Sequence, residues 1–242
     1  MTRAPTREPH FVPPTTHSAR WAPLVTIVTD RQLTNGPEGL PRSLARALEA
    51  LAIRGQGCDR EPRDVLVHLR EKDLGGRELL ALALAVGAVT RAAGVRLFVN
   101  DRVDVALAAG ADGVHLGGGG LSAADARSIA PELAVSVATH SVAEVERAAA
   151  DPAVTFAVLG PIFDTPAKRR FGLPPLGLEA LSAASARAGE LPIVAIGGID
   201  AERARQCFDA GASGIACIRG VLTAPDPAGA LLALWPSGNR KR

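Results

Sequence analysis

Residues 95–116 read VRLFVNDRVDVALAAGADGVHL. A β-branched run, VRLFV at 95–99, gives way to an alanine-rich segment closed by Gly110, and a second short run, DGVHL, follows at 112–116. Glycine at the end of such a segment suits the left-handed residue that closes a helix. The stretch therefore reads strand, helix, strand. Two strands joined through a helix run parallel, because the crossover brings the chain back to the same end of the sheet.

The same unit recurs on both sides. Further strand candidates are LVTIVT (24–29), DVLVHL (64–69), LAVSV (133–137), VTFAVL (154–159), PIVAI (192–196) and GIACI (214–218). Helical spacing falls between them, for example at 41–54, 77–93 and 142–150, with Gly94 and Gly211 as further helix-closing residues. Eight strand-then-helix units in about 215 residues indicate an α/β fold with an all-parallel sheet. The number eight favours a single (β/α)8 TIM barrel, slightly smaller than the ~250 residues typical of that fold. An open doubly wound sheet is the alternative. One domain is expected over 22–236, between a loose N-terminal tail (1–21) and a short basic C-terminal tail (237–242).

Bulk composition narrows the function classes. The chain has 242 residues, 47% apolar, with a net charge of +2, so nothing argues for nucleic-acid or membrane-surface binding. No apolar run reaches the roughly 20 residues needed to cross a bilayer, and the first residues hold no apolar signal core. Cys58, Cys207 and Cys217 are an odd, widely spaced set, which suits reduced thiols in a cytoplasm and offers neither a disulfide framework nor a zinc site.

In a barrel, chemistry belongs at the C-terminal strand ends. Strand two continues DVLVHLREKD; alternation puts Val65, Val67 and Leu69 on one face and His68, Arg70 and Lys72 on the other. The second face reads as an anion site at the mouth or as a solvated strand end. Strand three ends in Asn100, which can face the mouth, and Asp101, which reads as a cap for the next helix with Asp104 three residues on. Strand five leads to Ala138, Thr139 and His140, and an imidazole at the rim suits proton transfer near neutral pH. The loop after strand six carries Thr165, Lys168, Arg169 and Arg170, as a phosphate-binding loop or a solvated charge run. Gly197-Gly198 after strand seven and Arg219 after strand eight occupy the usual phosphate position of this barrel. The four glycines 117–120 after strand four are, by themselves, a second phosphate-cradle candidate.

In order, HLREKD, FVNDRVDVALAAGADGVHLG, SVATHS, VLGPIFDTPAK and PIVAIGGI resemble the thiamine phosphate synthase/TenI family over roughly residues 24–222. The long second block is specific, whereas AIGGI alone would be weak. The resemblance implies a (β/α)8 enzyme of thiamine biosynthesis with one of two chemistries. Synthases join a hydroxymethylpyrimidine pyrophosphate to a thiazole phosphate with the help of Mg²⁺. TenI-type members aromatise a thiazole carboxylate phosphate by moving a proton, without a metal. Where synthases carry glutamine at strand two, this chain has His68. Asp101 matches one magnesium aspartate, but the second falls on Gly120; the pyrophosphate-binding serine falls on Ala138, and a phosphate-binding serine on Arg219. The T-x-T-K pattern becomes Thr165, Pro166, Ala167, Lys168.

These departures share a direction, and the expectation that follows is a cytoplasmic, metal-independent thiazole tautomerase with no cofactor. His140 would move the proton, with His68 as a second acid or base. Arg70 and Lys72 would hold the substrate carboxylate. Asn100, Thr165, Lys168, Gly197, Gly198 and Arg219 would complete substrate and phosphate binding. The partner is then a small phosphorylated thiazole, with no nucleic acid or membrane, in a chain that can form a homodimer. The alternatives are a Mg²⁺-dependent thiamine phosphate synthase with an altered metal site around Asp101, or a non-catalytic barrel that binds a thiamine precursor.

Overall fold

The computed structural model describes residues 21–54, 61–165, 172 and 174–235. The two expected tails, apart from Trp21, lie outside the described residues, as do Cys58, Lys168, Arg169 and Arg170.

Eight parallel strands close into a barrel in chain order. They are β1 (Val25–Val28), β2 (Val65–Leu69), β3 (Arg96–Asn100), β4 (Gly113–Leu116), β5 (Ala134–Thr139), β6 (Phe156–Leu159), β7 (Ile193–Ile196) and β8 (Gly214–Cys217). Because β1 pairs with both β2 and β8, the open doubly wound alternative is excluded. The helices that follow the strands are α1 (Gly39–Arg54), α2 (Gly76–Ala92), α3 (Val103–Ala109), α4 (Ala123–Ile129), α5 (Val142–Ala150), α6 (Gly177–Arg187) and α7 (Ala201–Asp209). After β8 come the short α8 (Arg219–Leu222) and α9 (Pro227–Ala233). Gly94, Gly110 and Gly211 take φ of 67°, 61° and 96°, as helix-closing residues should. No helix among the described residues is long and apolar enough to cross a membrane.

Each strand buries two faces. On the outside, Val25, Ile27, Val65, Val67 and Leu69 pack into one continuous core with the helices. On the inside, Val28, Leu66, Phe98, Ala134, Phe156, Val194 and Ala216 form a separate apolar core. The Phe98 and Phe156 rings lie 5.7 Å apart, and Trp21 closes the N-terminal end with centroids 6.0 Å from Phe98 and 5.6 Å from Phe156. The Arg96 guanidinium covers the Trp21 ring at 4.0 Å.

Filling this interior requires a small neighbour for Phe98. Its register partner on β4 is Gly113, where a Cβ would stand 2.4 Å from Phe98 Cζ and 2.5 Å from the Ala134 carbonyl oxygen. Gly113→Ala should therefore destabilise the barrel by about 1–3 kcal/mol through overpacking. Urea unfolding checks this as a lower midpoint with an unchanged slope; an unaltered midpoint would refute the packing account.

Candidate active site

Above the aromatic layer the interior turns polar. Inward positions on β2, β3, β4 and β5 carry His68, Asn100, His115 and Ser136, all buried. Register brings Asn100 beside His115 and His115 beside Ser136. Two hydrogen-bonded groups follow, joined by a contact between imidazole rings. His115 Nδ1 is 2.9 Å from Ser136 Oγ, and the His115 and His68 rings lie 4.5 Å apart. His68 Nε2 is 3.1 Å from Asn100 Oδ1, while Asn100 Nδ2 donates to Asp101 Oδ2 at 2.6 Å. A carboxylate only accepts, so Asp101 fixes which end of the Asn100 amide faces His68. The amide oxygen then accepts from His68 Nε2–H, which leaves the lone pair on Nδ1.

The expected capping role of Asp101 is corrected here. The residue that opens α3 is Arg102, without a side-chain cap, and Arg102 instead pairs with Asp104 through Nε at 2.8 Å. Asp101 has φ +58° and turns its carboxylate across to β4, where Oδ1 accepts from the Gly117 amide at 2.6 Å. The glycine stretch does cradle an anion, and that anion is the protein's own Asp101. A side chain at 117 would crowd it, since a Cβ there would lie 3.3 Å from Oδ1.

At the rim, Arg70 and Lys72 are exposed, with Lys72 Nζ 4.0 Å from Asp101 Oδ2. A cavity of ≈ 230 Å³ opens beside Lys72, lined also by Glu71, Asn100, Asp101 and Arg102 over Leu69, Leu74 and Leu79. His140 follows β5. Its Nδ1 lies 2.5 Å from the Gly160 carbonyl, and its backbone N–H donates to Glu144 Oε2 at 2.6 Å. A carbonyl cannot donate, so Nδ1 carries the proton, and in the neutral imidazole Nε2 keeps the lone pair that general-base work needs. Gly160 comes so close because it lacks a side chain: a Cβ there would stand 2.4 Å from the Ile196 carbonyl oxygen.

On the far side, Gly197 and Gly198 take φ of 108° and 66°, conformations that L side chains rarely adopt. They are packed against the β6 loop, with Thr165 Cγ2 3.4 Å from where a Gly198 Cβ would be. Arg203 of α7 donates to the Gly198 carbonyl at 2.7 Å. Arg219 opens α8 directly after β8 and is exposed. The structure thus brings His68, Asn100, Arg70 and Lys72 to one side of the mouth, and Gly197, Gly198 and Thr165 to the other. Lys168, expected beside them, lies outside the described residues.

Sequence reasoning missed His115 and Ser136, although period-two alternation from Gly113 marks His115 as inward-facing. It also missed Glu71, whose partners are on a different strand.

The residues present do not fit a divalent-cation site. Both Asp101 oxygens are engaged, Gly120 offers no carboxylate, and among the described residues no three His, Cys, Asp or Glu side chains converge as a metal-holding group. The backbone nevertheless keeps the place: a Cβ on Gly120 would lie 4.0 Å from Asp101 Oδ1.

Burial keeps both interior histidines neutral. It pushes His115 from 6.5 down to about 4, with Asp101 opposing and Arg70, Lys72 and His140 reinforcing the fall. His68 is driven well below its ordinary value by burial first and by His115 next. Such depressed groups contribute stability in full above pH 6.5, and lose it as the pH falls toward 4 and the unfolded chain takes up protons first. The loss from His115 should be on the order of 3 kcal/mol. Urea midpoints measured at pH 7 and pH 4.5 test it. The wild type should fall more steeply than His115→Gln, and equal falls would contradict the neutral, buried assignment.

Comparison with known proteins bears on the family and the fold. The family model described as thiamine monophosphate synthase matches residues 25–221. A putative thiamine-phosphate synthase of Geobacter sulfurreducens is 40% identical over 218 residues, covering 88% of this chain and 95% of the relative. The thiamine-phosphate synthase of Roseiflexus castenholzii is 44% identical over 214 residues, covering 87% and 86%. Among solved structures, a thiamine phosphate pyrophosphorylase from Pyrococcus furiosus superposes with a TM-score of 0.72 at 31% identity, over 87% of this chain and 92% of that one. The barrel, the mouth residues and these likenesses lead to one conclusion: the chain belongs to the thiamine monophosphate synthase (TMP-TENI) family.

Proposed function

We propose that the chain is a thiamine-phosphate synthase, which joins a hydroxymethylpyrimidine pyrophosphate to a thiazole phosphate and releases pyrophosphate. The observation that carries this reading is 40–44% identity, along nearly nine-tenths of the chain, to proteins named for that activity. The thiazole nitrogen forms the new bond to the pyrimidine methylene carbon as the bond from that carbon to the pyrophosphate oxygen breaks. Arg70 and Lys72, beside Asn100, offset the charge that gathers on the departing group through charge-assisted hydrogen bonds. The thiazole phosphate lies across the mouth, at the turn of Gly197 and Gly198 with Thr165 and Arg219. His68 and His115, both neutral, form the floor beneath the reacting rings.

A second reading, the metal-independent thiazole tautomerase, is favoured by two specific observations. Asp101 is already spent on Gly117 and Asn100, and His140 Nε2 has its lone pair available. In that reaction His140 removes the ring proton and returns one to the exocyclic carbon, while Arg70 and Lys72 hold the substrate carboxylate.

Parallel turnover assays separate the two, each run with Mg²⁺ and with chelator. Coupling of the pyrimidine pyrophosphate to the thiazole phosphate is the expected outcome. Aromatisation of the thiazole carboxylate phosphate without coupling would replace the synthase by the tautomerase, and turnover of neither set would remove both. His140→Ala should cost ~10²–10⁴-fold in aromatisation, the usual worth of general acid–base catalysis, and much less in coupling. A separate measurement addresses the missing carboxylate. Titration calorimetry should show Mg²⁺ binding to Gly120→Asp that exceeds binding to the wild type, whereas equal binding would mean that residue 120 is not the deficit.

A further inference from the structure

The carboxylate of Glu71 lies between the two rim cations in sequence, and it turns to the segment that follows β1. Its side chain is 3% exposed. Thr29 Oγ1 donates to Glu71 Oε1 at 2.7 Å, and the Arg31 amide donates to both carboxylate oxygens at 3.1 and 3.2 Å. The Arg31 guanidinium reaches Glu71 Oε2 at 3.1 Å, then continues to Asp73 with a two-pronged contact of 2.6 and 2.7 Å. These carboxylates hold the Arg31 guanidinium firmly in its charged form, the Asp73 contact contributing most. The Thr29 hydroxyl does double duty, since it also accepts from the Arg70 amide at 3.0 Å. The Thr29 amide in turn donates to the His68 carbonyl at 2.9 Å, which extends the β1–β2 ladder one residue beyond the strand.

Every residue from His68 to Asp73, except Leu69 and Lys72, is thereby tied directly to the segment Thr29–Arg31. Lys72 is held between two anchored neighbours. A buried carboxylate is costly unless it is paired and hydrogen-bonded, so this arrangement has few alternatives. Two cations on a free strand end would sample many rotamers and backbone positions; on this clamp their Cα positions and directions are set before any ligand arrives.

We infer that Thr29, Glu71, Arg31 and Asp73 form a clamp that positions Arg70 and Lys72 for a phosphorylated ligand, with Thr29 and Glu71 as the positioning residues. The inference rests on the reading of the mouth as a phosphate-binding site. It adds a set of residues that act through the rim cations. Loss of a hydrogen bond in such a chain, at about 0.5–1.5 kcal/mol each, corresponds to at most about a tenfold change in affinity.

Calorimetric titration of the full-length protein with inorganic pyrophosphate tests the clamp without assuming either reaction. Thr29→Val and Glu71→Gln should weaken binding about tenfold, and Thr29→Ser, which restores the hydroxyl, should bind like the wild type. Asp73→Asn alters only the half-exposed end of the clamp, so it leaves the barrel interior untouched should the buried variants fail to fold; it should weaken binding about two- to threefold. Arg70→Ala serves as the reference for the anion site itself. If it binds pyrophosphate as well as the wild type, the phosphate-site reading fails and the clamp has nothing to position. If Arg70→Ala weakens binding while Thr29→Val, Glu71→Gln and Asp73→Asn lower only the melting temperature, the site stands and the positioning role is overturned.

Discussion

Closing eight parallel strands on themselves removes every free edge and commits each inward residue to a shared, finite interior. Everything else in the molecule depends on how that interior is filled. Its lower half is an aromatic plug of Phe98, Phe156 and Trp21, accommodated because Gly113 leaves room on β4. Its upper half is two hydrogen-bonded pairs, His68 with Asn100 and His115 with Ser136, whose imidazole rings touch. The change from one to the other takes place within single strands: Phe98 is followed two residues later by Asn100, and Leu66 by His68. Period-two geometry thus converts one step along a strand face into a change from structural filling to chemistry.

That same geometry explains what the sequence made legible. All eight strands were recognisable, because a parallel strand buried on both faces needs a β-branched run, and the structure reproduces each within two residues at either end. Alternation in strand two also places Val65, Val67 and Leu69 outward and His68 inward, while Arg70 and Lys72 lie exposed beyond the strand end and Leu66 keeps the inner face partly apolar. What depended on contacts between strands was harder to see. Asp101 looked like a helix cap because caps are local patterns, but its partner is the Gly117 amide on the next strand. Glu71 was overshadowed by its charged neighbours, and nothing in REKD discloses a threonine just past β1. His115 was visible in principle, yet the glycines beside it drew the chemical reading elsewhere.

The Asp101 carboxylate deserves its place in any account of the family resemblance. In this chain it organises three things together: the β4 loop through Gly117, the Asn100 amide, and through that amide the tautomer of His68. Lys72 Nζ stands 4.0 Å from Asp101 Oδ2. An internal anion so fully engaged behaves as part of the scaffold. Its two oxygens are taken up by a backbone donor and an amide donor.

Gly160 shows how closely scaffold and chemistry are joined. Its missing side chain lets β6 lie against the Ile196 carbonyl, and its own carbonyl selects the protonation site of His140. A substitution here would push two strands apart and release the imidazole in one stroke. One position thus serves both the barrel seam and the imidazole, and neither can be altered there without disturbing the other.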